Sequence, residues 1–239
     1  MSLGITSILA ARRPKVCILS SGDEVIPPWQ KSLPGQVRDI NSYSLASLVE
    51  ESGGAPDILG IIPDQPESLY ADASRALQDG DMVIITAGSS ASSRDMTASV
   101  IDRLGKPGVL VHGVNVRPGK PTILGACSGI PVIGLPGNPV SALVIARLFV
   151  QPVIEFLTGV RPLRKGTVSA SLAVNVPSQA GREDWIPVRL IDVNGRRTAE
   201  PVFGKSNLIF SLVRSDGMVC IPPDATGLES GAAVEVELF

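Results

Sequence analysis

The segment "DMVIITAGSSASSRDMTASVIDRLG" (81–105) decides the fold. It opens with a continuous apolar run, passes through small residues and continues with helical spacing. A strand with one wet face alternates apolar and polar residues, whereas a continuous apolar run marks a strand covered on both faces, as in a parallel sheet. The reading is a strand over 81–88 and a helix over 95–105, with Asp95 at the helix entrance as N-cap or cation ligand. The loop between them brings the hydroxyls of Ser89, Ser90, Ser92 and Ser93 beside Gly88. A small-residue loop leading into a helix is where α/β proteins hold anions. It reads equally as a polar surface loop.

The same rhythm extends outward. "KVCILSS" (15–21), "DILGIIP" (57–63), "GVLVHGVNV" (108–116), "PTILGAC" (121–127) and "IPVIGLPG" (130–137) read as strands. "NSYSLASLVEESGG" (41–54) reads as a helix with Tyr43, Leu45, Leu48 and Val49 on its apolar side. "QPESLYADASRALQDG" (65–80) is a second, with Pro66 in its first turn and Gly80 after its last. "NPVSALVIARLFVQPVIEFLTG" (138–159) is a long apolar helix capped by Asn138 and kinked or split by Pro152. After an extension over 1–14, residues 15–160 therefore read as an α/β domain, a mostly parallel sheet in a three-layer sandwich. Beyond the linker "GVRPLRKG" (159–166), period-two alternation and an Asn194-Gly195 hairpin signal predict a small β domain over 165–239, a barrel or sandwich.

Composition narrows the function. Of 239 residues, 44% are apolar and 18% charged, enough for a packed core. Aromatics at 4%, a net charge of −2 and no basic block argue against nucleic-acid and membrane-surface binding. Cys17, Cys127 and Cys220 are far apart, and His112, read as a core residue, is the single histidine, so a thiolate or imidazole metal site lacks ligands. Three unpaired thiols fit a reducing compartment, so a cytoplasmic location is expected. No segment reads as a bilayer span or a secretory signal. GxGxxG, P-loop and GxSxG patterns are absent from the sequence.

Further clusters fall where the sheet would present its loops. In "SSGDEV" (20–25), Asp23 and Glu24 suit a divalent cation, a hydroxyl or a proton, or form a solvated acidic turn. In "RDINS" (38–42), Asp39 reads as a helix cap. "VRPGKP" (116–121) holds Arg117 and Lys120 apart on a Pro-Gly turn, suited to phosphate or another oxyanion, or simply an exposed basic turn. In "GLPGNPVSA" (134–142), Pro136 and Pro139 fix φ and Gly137 permits close backbone approach. Asn138, Ser141 and the first N–H groups of the long helix then face the loop.

Taken in this order, the clusters resemble the molybdopterin molybdenumtransferase family (MoeA and the E domain of gephyrin). The resemblance runs from "RRPKVCILSSGDEV" through "RDINSYSLASLVEESGG", "GIIPDQPESL", "VRPGKP" and "GLPGNPVSA" to "GREDWIPVRL", "SNLIFSLVRSDGMVCIPP" and "GAAVEVEL". It implies an α/β domain followed by a small β-barrel. It also implies insertion of molybdate into adenylylated molybdopterin with release of AMP, assisted by Mg2+. Residue by residue, it implies reaction roles for Asp95, Glu24 and Lys120. Substrate contacts are implied for Ser21, Gly22, Asp23, Asp39, Asn41, Gly88, Ser89, Ser90, Arg117, Pro136, Gly137, Asn138 and Ser141. Asp95 and Asp64 become the cation ligands. A homodimer is implied, together with contact with the adenylyltransferase of the same pathway.

The chain departs from the family pattern at Ala87 and Ser92, where glycines are usual, and at Arg117, where lysine is usual. Full family members carry further domains before this region, so a catalytically incomplete portion is expected. Two related functions stand as alternatives: adenylyltransferase-like chemistry, against which the second domain argues, and a non-catalytic scaffold.

Overall fold

The structure, a computed structural model, describes residues 2–87, 91–159 and 166–239, with residues 91–94 by backbone alone. Six elements come first: β1 (Lys15–Ser21), β2 (Val25–Ile26), β3 (Val37–Arg38), α1 (Asn41–Glu51), β4 (Ala55–Ile62) and α2 (Pro66–Asp79). They are followed by β5 (Met82–Ala87), α3 (Ala91–Leu104), β6 (Pro107–His112), β7 (Val116–Arg117), β8 (Ile123–Cys127) and β9 (Ile130–Pro136). A continuous helix then comprises α4 (Pro139–Ile145), a π-helical turn (Ala146–Val150) and α5 (Gln151–Leu157). The rest is β10 (Thr167–Leu172), β11 (Val176–Pro177), β12 (Glu183–Val193), β13 (Arg196–Pro201), α6 (Phe210–Val213), β14 (Gly217–Ile221), β15 (Gly227–Leu228) and β16 (Ala233–Leu238).

The first sheet has the order β4-β1-β5-β9-β8-β6. Strands β4, β1, β5 and β9 run parallel. Both faces are covered, which accounts for the unbroken apolar runs. Val16 and Ile18 of β1 pack with α1 and α4, and Cys17 and Leu19 with α2 and α3. Strand β8 departs from the parallel pattern, running antiparallel to both neighbours. Only Ser128 and Gly129, both at positive φ, separate it from β9. A two-residue connection is a hairpin, far too short for a parallel crossover.

The second sheet closes on itself. Its order is β13-β10-β16-β14-β12, with β12 also pairing β13, a five-stranded barrel. Asn194 (φ 55°) and Gly195 (φ 77°) form the β12–β13 turn, the geometry an Asn-Gly hairpin demands.

Three expectations need correction. His112 is exposed on the edge strand β6, not a core residue. Tyr43 is 45% exposed, while Leu45, Leu48 and Val49 of the same helix are buried. The helix over Pro139–Leu157 has the length and composition to cross a membrane. Its apolar side is occupied by the core, where Val140, Val144, Ile145, Val150 and Ile154 are buried. Pro152 lacks an N–H and crowds the preceding turn, and the helix answers with the π-helical turn just before it. The linker expected over 160–165 lies outside the described residues.

The two sheets are joined by hydrogen bonds. Strand β7 adds in parallel to the barrel strand β12, with Val116 opposite Glu183 and Arg117 opposite Asp184. Glu183 N–H donates to Asn115 O (2.9 Å), Val140 N–H to Ser206 O (3.1 Å) and Arg147 to Leu238 O (2.7 Å). Trp185 and Met218 of the barrel enter the core formed by α1 and α4. Gly119, at φ 132°, lets the turn after β7 press on α4: a Cβ there would stand 2.3 Å from Ile145 Cδ1. Gly119→Ala is expected to lower stability by about 1–3 kcal/mol, measured by urea unfolding. Shortening the partner in Gly119→Ala/Ile145→Val is expected to recover part of that loss relative to the sum of the single effects.

Candidate functional site

The strand registers bring five loops to one edge. Ser21 lies opposite Ile62, Ser20 opposite Thr86, and Ala87 opposite Pro136. Gly134 lies opposite Ile123, itself opposite His112. The C-terminal ends of β1, β4, β5, β6 and β9 therefore gather at one edge of the sheet, the edge where open α/β sheets bind ligands.

An acidic corner forms behind β1 and β4. Ser21 Oγ donates to Asp64 Oδ1 (2.6 Å), and Asp64 N–H donates to Asp23 Oδ1 (3.1 Å). The two loops are thereby tied through the Asp23 carboxylate and the Asp64 backbone. Glu24, next in the chain, is half-buried. Gly22 leaves it room, since a Cβ there would stand 3.0 Å from Glu24 Oε2 and 2.7 Å from Val25 Cγ2.

The start of α1 meets the start of α4. Asp39 accepts from Ser42 N–H (3.1 Å) and Ser42 Oγ (2.7 Å), so both its oxygens serve the helix cap. Asn41 Nδ2 donates to Gly137 O (2.8 Å), fixing the Pro136-Gly137 turn. Asn41 Oδ1 is buried without a partner among the described residues. Asn138 takes the N-cap position of α4 but makes no side-chain capping bond. The N–H of Val140 is already given to the barrel through Ser206 O, so the helix offers fewer open donors to the loop than expected.

Helix α3 begins at Ala91, not at Asp95. Asp95 is therefore neither N-cap nor helix entrance; it sits exposed in the second turn. Alanine and serine are tolerated in a helix and carry the winding back into the small-residue stretch. Gly88, Ser89 and Ser90 lie outside the described residues, as do the side chains of Ser92, Ser93 and Arg94.

A cleft of about 1020 Å³ opens between the barrel, the turn after β7 and the start of α4. Four cationic side chains line it: Arg117 and Lys120 from the turn after β7, and Arg182 and Lys205 from the barrel. Ser141, Ser206 and Trp185 also line it. Arg117 Nη1 lies 3.4 Å from Asp184 Oδ2. Arg182 donates from Nε to Oδ1 (2.7 Å) and from Nη2 to Oδ2 (3.1 Å) of the same carboxylate, and from Nη1 to Gln179 (3.0 Å).

The expected residues thus divide between two adjoining places. Ser21, Gly22, Asp23, Glu24 and Asp64 form the acidic corner, whereas Arg117, Lys120 and Ser141 line the cleft. Pro136, Gly137 and Asn138 lie between, on Asn41. Arg182, Asp184, Lys205 and Ser206 had not been singled out. The signal for Arg182 and Asp184 is the Gly181-Arg182-Glu183-Asp184 run at the start of a strand, and Ser206 opens the "SNLIFSLVRSDGMVCIPP" stretch.

Among the described residues no group of three or more His, Cys, Asp or Glu is arranged to hold a metal ion. The cysteines are unpaired. Burial pushes the Cys17 and Cys220 thiols up to about 11 and raises that of Cys127.

Comparison with known proteins gives a consistent picture. The family described as "Probable molybdopterin binding domain" matches residues 17–155, and "MoeA C-terminal region (domain IV)" matches residues 169–239. The chain is 34% identical to a molybdopterin molybdenumtransferase of Nostoc, covering 94% of the chain and 53% of that protein. It is 31% identical to a molybdopterin molybdenumtransferase of Haemophilus influenzae, covering 100% of the chain and 59% of that protein. The crystal structure of a molybdopterin biosynthesis MoeA protein from Pyrococcus horikoshii aligns at a TM-score of 0.81 and 39% identity, covering 95% of the chain and 54% of that structure. The chain therefore spans little more than half the length of the relatives it matches.

The thiols supply a direct check on the packing. A thiolate is the reactive form, so raised pKa values keep these cysteines inert near neutrality. At pH 8 the folded chain is expected to react with a disulfide reagent about tenfold or more slowly than the urea-unfolded chain. Ionisation favours the unfolded state, where a thiol titrates near 8.5. The stability associated with neutral burial is thus fully present below about pH 8.5 and declines as pH rises toward 11. Fast labelling of Cys17 or Cys220 in the folded chain at pH 8 would contradict this.

Proposed function

The chain belongs to the molybdopterin molybdenumtransferase (MoeA) family, and from that premise we propose that it forms the substrate-handling part of a molybdenum insertase. In this reading the whole protein takes adenylylated molybdopterin and molybdate as substrates, inserts molybdenum into the dithiolene and releases AMP. The observation that carries it is the cleft lined by Arg117, Lys120, Arg182 and Lys205, in a chain whose sheet also bears an acidic corner at its carboxyl edge.

Both substrates are anionic, and the residues suit them in distinct ways. Arg117, Lys120, Arg182 and Lys205 offset the charge of phosphate and oxyanion in the cleft. The hydroxyls of Ser141 and Ser206 add neutral donors or acceptors. Asn41 Oδ1, buried and without a partner among the described residues, is set to accept a ligand N–H or O–H at the Gly137 turn.

Magnesium fits the acidic corner. It is commonly held by one or two carboxylates together with substrate phosphates rather than by a full protein cage, and Asp23 and Asp64 meet at the carboxyl edge. Asp64, positioned by Ser21, is the first candidate ligand, with Asp95 on α3 a further carboxylate. Bound there, the ion would neutralise charge on phosphate oxygens as the anhydride is cleaved. Glu24, half-buried and next to Asp23 in the chain, is the candidate to hold or move a proton.

A cytoplasmic location is supported by the three unpaired cysteines. A homodimer, or contact with the pathway's adenylyltransferase, is supported by the exposed apolar patch of Trp29, Ile40 and Tyr43.

Mixing the full-length protein with adenylylated molybdopterin, magnesium and molybdate is expected to release AMP. Failure to release AMP despite demonstrated substrate binding overturns the reading. Asp64→Asn and Asp95→Asn are each expected to bind substrate yet release AMP about 100-fold more slowly. Unchanged turnover removes the residue in question from its role.

A further inference from the structure

We propose that Asp184 is a positioning residue that aims two arginines, one on β7 and one just before β12, at an oxyanion in the cleft. The proposal rests on the functional reading above and names the oxyanion-facing side of the same site as built around this carboxylate.

Asp184 is fully buried, while the side chains of Arg117 and Arg182 are 62% and 28% exposed. Both arginines line the cleft and Asp184 does not. The carboxylate therefore acts behind the surface that a ligand would touch. Three guanidinium nitrogens converge on it: Nε and Nη2 of Arg182 span its two oxygens at 2.7 and 3.1 Å, and Arg117 Nη1 approaches at 3.4 Å. The β7–β12 register sets this up by placing Arg117 directly opposite Asp184.

Stability alone is a weak reason for such a group. Burying a carboxylate carries a desolvation penalty that its partners roughly offset, and apolar replacements of buried ion pairs are often no less stable. The arrangement gains meaning from the donors left over. A guanidinium has five N–H donors. Arg182 uses three among the described residues, two on Asp184 and one on Gln179. Two remain, on a planar group whose orientation is already fixed, so little side-chain freedom is lost on binding. Lys120 and Lys205, on flexible stems, contribute charge without that directionality.

The sign of the effect separates positioning from charge. Asp184 is negative and sits close to an anion site. If it acted only through its charge, neutralising it would tighten anion binding. If it positions the arginines, neutralising it weakens binding despite the gain in net positive charge.

The test is calorimetric titration of the chain with molybdate at fixed ionic strength. The parent is expected to bind, and folded Asp184→Asn to bind about tenfold or more weakly. Equal or tighter binding by folded Asp184→Asn overturns the proposal. Arg182→Lys, at a part-exposed site, keeps the charge but loses the two-pronged grip, and provides the answer if Asp184→Asn does not fold. A tenfold loss in Arg182→Lys supports the proposal and unchanged affinity overturns it. A parent that binds no molybdate overturns the functional reading and the proposal together, whereas binding in the parent that persists unchanged in the variants overturns the proposal alone.

Discussion

Two residues of strand, Val116 and Arg117, pair with the first residues of β12, and the candidate site depends on that short ladder. It is where the segment between β6 and β8 of the α/β sheet adds to the barrel sheet as an edge strand. It sets the turn carrying Lys120 against α4, where Gly119 leaves no space for a side chain beside Ile145. It also seats Arg117 against the buried carboxylate of Asp184 on β12. Apolar contacts from Trp185 and Met218 strengthen the junction without specifying direction. The backbone pairing supplies the direction, because register fixes which side chains stand opposite one another.

The electrostatics follow from this geometry. Carboxylates collect on the loops after β1 and β4, and cations collect on the turn after β7 and on the facing barrel. The start of α4 is tied to α1 through Asn41 and to the barrel through Val140.

Much of the framework was legible because its causes are local or periodic. The parallel strands are apolar on both faces, Pro66 and Gly80 bracket α2, and Pro152 perturbs the long helix. Asn194-Gly195 makes the turn its composition favours. Less legible were features set by distant contacts. The reversal of β8 depended on a short Ser-Gly turn whose strand reads like its parallel neighbours. The early start of α3 was masked by small residues that serve loop and helix alike. His112 looks internal from its apolar neighbours, yet it lies on a sheet edge, and edges are a property of strand order. The acidic corner was visible as acidic motifs, but not its bond from Ser21 to Asp64, between loops 43 residues apart. The cleft was legible on one wall only. Arg182 and Asp184 acquire their relation to Arg117 through the β7–β12 register, which no spacing along the chain encodes.

The central claim is that the junction of the two sheets forms an oxyanion-binding cleft beside a carboxylate corner. Its most direct test is a crystal structure with tungstate, a strongly scattering tetrahedral dianion standing in for molybdate. The account predicts anomalous density in the cleft, within hydrogen-bonding reach of Arg182 and of Arg117 or Lys120. Density confined to other surfaces, or an empty cleft at saturating tungstate, would contradict it.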